Sequence, residues 1–309
     1  MSDPFRVTAV VTTYDRPESL RDALQSVLGQ TRQPEEVLVI DDGTNPATEE
    51  VVAAVGGDRV RYHRNPMNLG LAASRNVGLE QATGDLIAYL DDDDIWLPDK
   101  IERQIRAFAS GDERLGGVYG SVVYVYPDGA ERILRADARG DILPRLLREL
   151  NVVKGGFSGL LLRRAAVQEV GGFDPQLAMR EDYELQLRLA SAGYTFDFVT
   201  GEPTLRYRAD GADSLSLKAG QRALGILQVF RKHRALFESE PHARHGLDLM
   251  MVARFLSRAN HPRLALQVYR SALARSRPGR RVFREAVAVP ARIVADRVRT
   301  TRGSSAAVS

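Results

Sequence analysis

Leu86-Ile87-Ala88-Tyr89-Leu90-Asp91-Asp92-Asp93-Asp94 is an apolar run that stops at four carboxylates. Five apolar residues in a row have the length and composition of a buried strand. Four ionised side chains cannot continue into a core, so the strand ends at Leu90 and presents them at its edge. Like charges this close need a counterweight. A divalent cation supplies one, because hard cations take oxygen ligands and bridge readily to phosphates. The pattern predicts a metal site for a phosphate-bearing ligand. The competing reading is a solvated acidic turn.

Working outward, strand-like and helix-like segments alternate. Val7-Thr8-Ala9-Val10-Val11 reads as a buried strand, followed by the loop Thr12 to Pro17. Pro17 suits a first helical position, and Leu20, Leu24, Val27 and Leu28 follow at helical spacing before Gly29. Val37 to Ile40 is a second strand ending at Asp41-Asp42-Gly43, and Val60 to His63 a short third. Leu71 to Ala82 reads as a helix leading to the Leu86 strand. Such alternation implies an α/β fold, Rossmann-like, with a mostly parallel mixed sheet and helices on both faces. Ligands of these sheets gather outside the carboxyl ends of the strands. Thr12-Thr13, Asp41-Asp42 and Asp91 to Asp94 all fall at such ends, so they are expected along one edge.

Beyond Phe108 the rhythm changes. Val118 to Tyr126 reads as one strand, Asp141 to Leu150 as a helix, and Gly159 to Leu162 as a strand returning to the sheet. Ala165 to Val170 and Asp182 to Ala190 read as helices, Thr195 to Val199 and Thr204 to Arg208 as final strands. From Gln221 only helical patterns occur, interrupted by prolines. The expected organisation is a catalytic domain over 1–217, a basic helical extension over 218–299 and a disordered tail over 300–309.

The chain has 309 residues, with 44% hydrophobic and 27% charged residues, ordinary values for a globular protein. Without cysteine it can form neither a disulfide framework nor a thiolate zinc site. No apolar stretch is long enough to span a bilayer, and the N-terminus lacks the pattern of a signal peptide. The expected location is cytoplasmic. The formal net charge of +3 is uneven: Ala219 to Ser309 holds 18 Lys or Arg against 5 Asp or Glu, the remainder 25 against 35. An acidic body with a basic end points to two jobs.

Several segments together resemble the family 2 glycosyltransferases. Val10 to Pro17 resembles the family's opening segment and Val39 to Thr44 its second-strand motif. Asn68 to Gly78 is similar to the third motif, and Leu90 to Trp96 to the Asp-x-Asp segment. Gly171-Gly172-Phe173-Asp174 and Glu181 to Leu185 resemble the acceptor-side motifs. The resemblance runs in order over roughly residues 5 to 210. It implies the GT-A fold and a nucleotide-diphosphate sugar donor, with UDP-sugars favoured by family frequency.

On that resemblance, Asp93 and Asp91 match the metal-binding carboxylates, with Mn²⁺ or Mg²⁺ suited to all-oxygen ligands. Asp91 or Asp92 alternatively contacts the donor's ribose or sugar. Asp94 is a ligand if the register slips by one, or a cap for a helix starting near Trp96. Thr12, Tyr14, Asp41, Asp42 and Asn68 are expected around the nucleotide, although an aspartate there also suits the turn at Gly43. Arg16 approaches the diphosphate or pairs with Asp15; Arg75 reaches the nucleotide or makes a helix-face salt bridge. Asp182 matches the family's base, which takes the acceptor hydroxyl's proton, and its neighbour Glu181 is expected to point elsewhere. Direct attack would invert the anomeric centre, and no second carboxylate claims the role of nucleophile.

One departure concerns the stretch Tyr207 to Ser214, where many relatives carry a histidine and this chain has none. Arg208 or Asp210 would have to substitute, which leaves the third metal contact open. Lys154 to Gly159 is Gly-rich without P-loop spacing and reads as a flexible acceptor-side loop. Arg275, Arg277, Arg280, Arg281 and Arg284 precede Arg292, Arg297 and Arg299 among apolar residues. Such basic amphipathic helices suit peripheral contact with an anionic membrane and a lipid-linked acceptor, or packing on the protein itself. A glycan, protein or small-molecule hydroxyl acceptor is equally compatible. Nucleic-acid binding is not expected, because aromatic residues are not interleaved with the arginines. The rivals are a nucleotidyltransferase, disfavoured because Thr12 to Pro17 has no glycine, and a carbohydrate- or nucleotide-binding module without turnover.

Overall fold

A computed structural model describes residues 5–126, 128–177, 179–208, 215–239, 263, 266–268 and 270. In chain order the elements are β1 (Val7–Thr13), α1 (Pro17–Leu28), β2 (Glu36–Asp41), α2 (Ala47–Gly56), β3 (Val60–Arg64), α3 (Leu71–Gln81) and β4 (Leu86–Asp91). Next come β5 (Ile95–Trp96), α4 (Lys100–Ala109), β6 (Leu115–Tyr119), β7 (Val122–Val125), β8 (Glu131–Leu134) and α5 (Leu143–Leu146). The series closes with β9 (Leu161–Arg163), α6 (Arg164–Glu169), α7 (Glu181–Ser191), β10 (Thr195–Phe198), β11 (Leu205–Arg208), α8 (Leu215–Lys232) and α9 (Arg234–Ser239).

The chain divides into two compact units. The first comprises Met1–Leu146, Leu150–Gln176 and Glu181–Asp210; the second comprises Leu147–Glu149, Leu177–Arg180 and Gly211–Ser309. The first unit holds two sheets. Seven strands run in the order β10-β6-β9-β4-β1-β2-β3, and four in the order β5-β11-β7-β8. In the larger sheet β1 pairs in parallel with β2 and β4, and β2 with β3, while β9 runs antiparallel to β4 and β6.

Alternation along β1 shows why helices cover both faces. Val7, Ala9 and Val11 point to one side, into a core with Leu20, Leu24 and Val27 of α1 and Ile101, Ile105 and Phe108 of α4. Val10 points to the other side, against α3, where Gly78 leaves just enough room: a methyl there would overlap the Val10 side chain. Tyr89 packs on that side edge-to-face with Phe173 at 5.2 Å and Phe157 at 6.0 Å. Full burial of each such side chain contributes about 1.5–3 kcal/mol.

The structure departs from the sequence reading in several places. The expected strand Val118 to Tyr126 is two strands in different sheets, β6 and β7, broken at Gly120-Ser121. A methyl on Gly120 would strike Thr204, so the chain turns where β11 approaches. No helix starts near Trp96. Ile95–Trp96 is strand β5, paired antiparallel with Leu205 and Arg206, and α4 begins at Lys100 after Asp99. The expected helix Asp141 to Leu150 shrinks to Leu143–Leu146. Residues 47–56 and 131–134, to which the sequence reading gives no element, form α2 and β8.

The described residues of the second unit include α8 and α9, where Phe230 and Phe237 meet edge-to-face at 4.5 Å. The arginine cluster from Arg275 to Arg299, the 300–309 tail and Asp210 lie outside the described residues. No helix among the described residues is long and apolar enough to cross a membrane.

Candidate active site

Parallel pairing brings three strand ends together. Thr12 lies opposite Asp91 across β1 and β4, and Thr13 opposite Asp41 across β1 and β2. The edge expected from the sequence is thus formed by backbone register before any side chain is placed.

The four aspartates differ in environment, and the difference alternates. The side chains of Asp91 and Asp93 are each 31% exposed. Asp92 and Asp94 are buried. Asp92 accepts from the Thr13 hydroxyl at 2.8 Å, the Tyr14 N–H at 3.3 Å and Arg16 at 3.2 Å. Burial pushes its pKa up to about 6, against the pull of Thr13 and Arg16. Asp94 is pushed well above the usual carboxylate range, first by burial and then by the charges of Asp91 and Asp93. One of its oxygens accepts the Arg208 N–H at 3.2 Å; the other has no hydrogen-bond partner of good geometry, although the Ser158 hydroxyl beside it eases its charge. Asp94 therefore ties the edge to β11 and caps no helix.

Asp91 is held by three groups. The Thr12 hydroxyl donates to it at 3.2 Å, and Arg75 donates to both its oxygens at 2.7 and 3.0 Å. Its own N–H donates to the Ser158 hydroxyl at 3.2 Å. Arg75 also donates to Glu181 at 2.9 Å, and its guanidinium lies 5.4 Å from the Phe173 ring and 5.7 Å from the Phe157 ring. Burial works against the charge on Arg75, and the carboxylates of Asp91 and Glu181 hold it protonated. Arg75 is 2% exposed, and of its two sequence readings, contact with the nucleotide or a salt bridge, its pairs with Asp91 and Glu181 match the second. It is an internal bridge from β4 to α7.

Glu181 is the second carboxylate of this bridge. It points inward to Arg75, away from the place assigned to Asp182 as the sequence reading has it, and burial raises its pKa against the opposing pull of that guanidinium. Asp182 follows it in the first turn of α7. One Asp182 oxygen accepts the Tyr183 N–H at 2.7 Å. The other faces the Gly156 backbone so closely that a methyl on Gly156 would lie 3.2 Å from it. Gly156 has φ +53°, a conformation that glycine adopts without strain.

The second acidic pair is turned inward. Asp41 has no exposed surface; it accepts the Gly43 N–H at 2.9 Å, the Tyr62 hydroxyl at 2.7 Å and Arg64 at 3.1 Å. It shapes the turn at Gly43, the alternative the sequence left beside a place at the nucleotide, and anchors β3. Asp42 accepts from Asn65 at 2.8 Å and from the N–H groups of Leu69 and Gly70 at 2.7 and 2.8 Å. It thereby fastens the loop that carries Asn68, which is exposed. Tyr14 is 53% exposed beside it in sequence to Asp15, whose carboxylate accepts the N–H groups of Thr44 and Asn45, both at 2.8 Å. Asp15 so joins the first loop to the second. Arg16 pairs with Asp92 and with Asp93 at 3.0 Å.

Sequence reasoning missed Asp15, Ser158 and Glu181. Glu181 adjoins the residue chosen as base, and only the fold shows which of two neighbouring acids faces Arg75. Ser158 carried no signal, because its partner is a backbone N–H 67 positions away.

Among the described residues no three His, Asp or Glu side chains form a ready ligand cluster. The donor set nevertheless fits a hard cation. Asp91 and Asp93 are the partly exposed carboxylates of the run, paired here with Arg75 and Arg16, and such ions take their remaining ligands from phosphates and water.

A seven-stranded, mostly parallel sheet flanked by helices, with acids along its carboxyl edge, defines a glycosyltransferase of the GT-A fold. The model of Glycosyl transferase family 2 matches residues 8–171, more than half of the chain, and the chain belongs to that family. It is 30% identical over 238 residues to the amylovoran biosynthesis glycosyltransferase AmsE of Erwinia amylovora, covering 75% of this chain and 86% of that one. It is 30% identical over 209 residues to the glucosyl-dolichyl phosphate glucuronosyltransferase of Haloferax volcanii, covering 64% and 65%. The match to an uncharacterized glycosyltransferase of Rickettsia felis spans only 31% of that relative's length. Among solved structures, the mannosyltransferase PcManGT from Pyrobaculum calidifontis, in complex with GDP-Man and Mn²⁺, superposes with a TM-score of 0.59 at 18% identity, covering 95% of this chain and 86% of that one. S. aureus TarS 1-349 with UDP superposes with a TM-score of 0.58 at 16% identity, covering 94% and 88%. At these identities the likeness concerns the fold.

Proposed function

We propose that this glycosyltransferase moves a sugar from a nucleoside-diphosphate donor to an acceptor hydroxyl with inversion. The observation that carries the reading is the Asp91–Arg75–Glu181 bridge, which ties the acidic strand edge to the helix bearing Asp182. A donor-side acid and an acceptor-side base are thereby held in one frame, as single-displacement transfer requires.

The roles follow from position. Tyr14, exposed, offers a ring face to the base, and Thr12, Asp42 and Asn68 are the other residues assigned around the nucleotide. Asp93, with Asp91, would hold Mn²⁺ or Mg²⁺, which when bound neutralises charge on the diphosphate leaving group. Asp182 takes the acceptor hydroxyl's proton. The acceptor oxygen then bonds to the anomeric carbon as the carbon–oxygen bond to the diphosphate breaks, and the electron pair leaves on the diphosphate. Attack opposite the leaving group inverts the centre. The nucleotides named with the solved neighbours, GDP-Man and UDP, support a nucleoside diphosphate without choosing the base.

The relatives named for amylovoran and for a dolichyl phosphate support a glycan or lipid-linked acceptor in glycoconjugate synthesis. The basic stretch after Ala219 suits the approach to such a lipid at an anionic membrane. The test of the chemistry is Asp182→Asn. Turnover should fall by about 10²–10⁴-fold while donor affinity stays the same. A variant that still turns over at the parent rate would remove Asp182 from the mechanism, and donor binding without turnover in the parent protein would favour a binding module.

A further inference from the structure

Lys100 is fully buried at the start of α4 and has no role in the reaction described above. Among the described residues no carboxylate pairs with it. Its ammonium lies 4.3 Å from the centre of the Trp96 ring and donates to Gln104 Oε1 at 2.8 Å. Burial holds its pKa well below the ordinary lysine value. Charged or neutral, a buried amine costs free energy unless its N–H groups find acceptors, so its hydrogen bonds matter.

Those bonds converge on one short stretch of backbone. With Gln104 Oε1 taken by Lys100, the Gln104 amide N–H groups point the other way, donating to Val118 O at 2.9 Å and Gly159 O at 2.8 Å. Trp96 Nε1–H donates to Ser158 O at 2.8 Å, and Lys100 reaches Leu160 O at 3.5 Å. Three successive carbonyls, Ser158, Gly159 and Leu160, are thus gripped by three side chains from β5 and α4. The seat itself is braced: Ser26 Oγ accepts the Trp96 N–H at 3.1 Å, and Gln30 accepts the Ile101 N–H at 3.1 Å while donating to Leu97 O at 2.9 Å.

What the grip holds matters for the site. The Ser158 hydroxyl accepts the N–H of Asp91. Gly156, two residues earlier, lies against the free oxygen of Asp182. We propose that Lys100 is a positioning residue which, through the orientation of Gln104 and together with Trp96, clamps the 154–160 loop so that Asp91 and Asp182 keep their relative place. The Gly-rich loop is on this view pinned from Ser158 onward.

The clamp can be read without any substrate; only its effect on rate rests on the transferase reading. Hydrogen exchange of the full-length protein is compared for the parent, Lys100→Met and Trp96→Phe. Both variants should exchange about tenfold faster over 154–160, with protection in β1 unchanged. With whichever donor the parent binds in the presence of Mn²⁺, turnover should drop by about tenfold or more while donor Kd stays within about twofold, because a small misplacement costs rate before it costs binding. Trp96→Phe loses the Nε1–H hydrogen bond and keeps a smaller aromatic ring, so it serves if Lys100→Met fails to fold. Unchanged exchange over 154–160 in a folded variant would overturn the proposal. So would a loss of donor affinity equal to the loss of turnover, which would make Lys100 an ordinary core residue.

Discussion

Arg75 faces two carboxylates and two aromatic rings at once, and almost none of it meets solvent. Removing one member of a buried charge network leaves the others uncompensated, which is worse than never having had the network. Arg75→Met should therefore cost about 3–5 kcal/mol in urea unfolding. A cost below about 1 kcal/mol would show that the bridge is no stronger than a surface pair. The same network marks how far the residues could be read in advance. The acids at the strand edge were legible because four carboxylates after an apolar run have no other place to go. Which of them face outward was not, because that depends on Thr13, Tyr14 and Arg16 folding back over Asp92. Arg75 was legible as functional, but its partner Glu181 is 106 positions away, beyond any periodicity.

At the scale of elements, Glu36 at the start of β2 shows how neighbouring strands are kept in register. One oxygen accepts from the Thr8 hydroxyl at 2.7 Å and from the N–H and hydroxyl of Thr83 at 2.9 and 3.1 Å; the other accepts from Arg61 at 2.6 Å. Burial opposes its charge, yet these donors outweigh burial and lower its pKa below the usual value. A lowered folded-state pKa means stability that is present above the unfolded value of about 4.3 and lost as pH falls through the folded one. Glu36→Gln should thus cost about 1–2 kcal/mol at pH 7, and the gap should close in acid below about pH 4. An equal gap at pH 3 and pH 7 would contradict the assignment. Elements with clear apolar patterns, such as β1, α1 and β4, were readable from the chain alone. Strands β5 and β8 were not, since two to four residues carry no period, and their pairing with β11 and β7 is tertiary.

At the scale of the whole molecule, the uneven charge distinguishes an acidic catalytic part from a basic remainder. If that remainder serves a membrane-bound acceptor, the full chain should sediment with phosphatidylserine-rich vesicles at low salt and be released by about 0.5 M salt, where screening acts within a few ångströms. Equal binding to neutral vesicles, or none to either kind, would assign the arginines another task.

The central claim is that the outward carboxylates at the sheet edge hold a divalent cation for a nucleotide-sugar donor. Calorimetric titration with a panel of nucleoside-diphosphate sugars, with Mn²⁺ and with chelator, tests it most directly. Saturable binding of at least one donor is expected, lost with chelator and lost in Asp93→Ala. Binding that ignores both metal and Asp93, or no binding of any donor in saturating Mn²⁺, would contradict it.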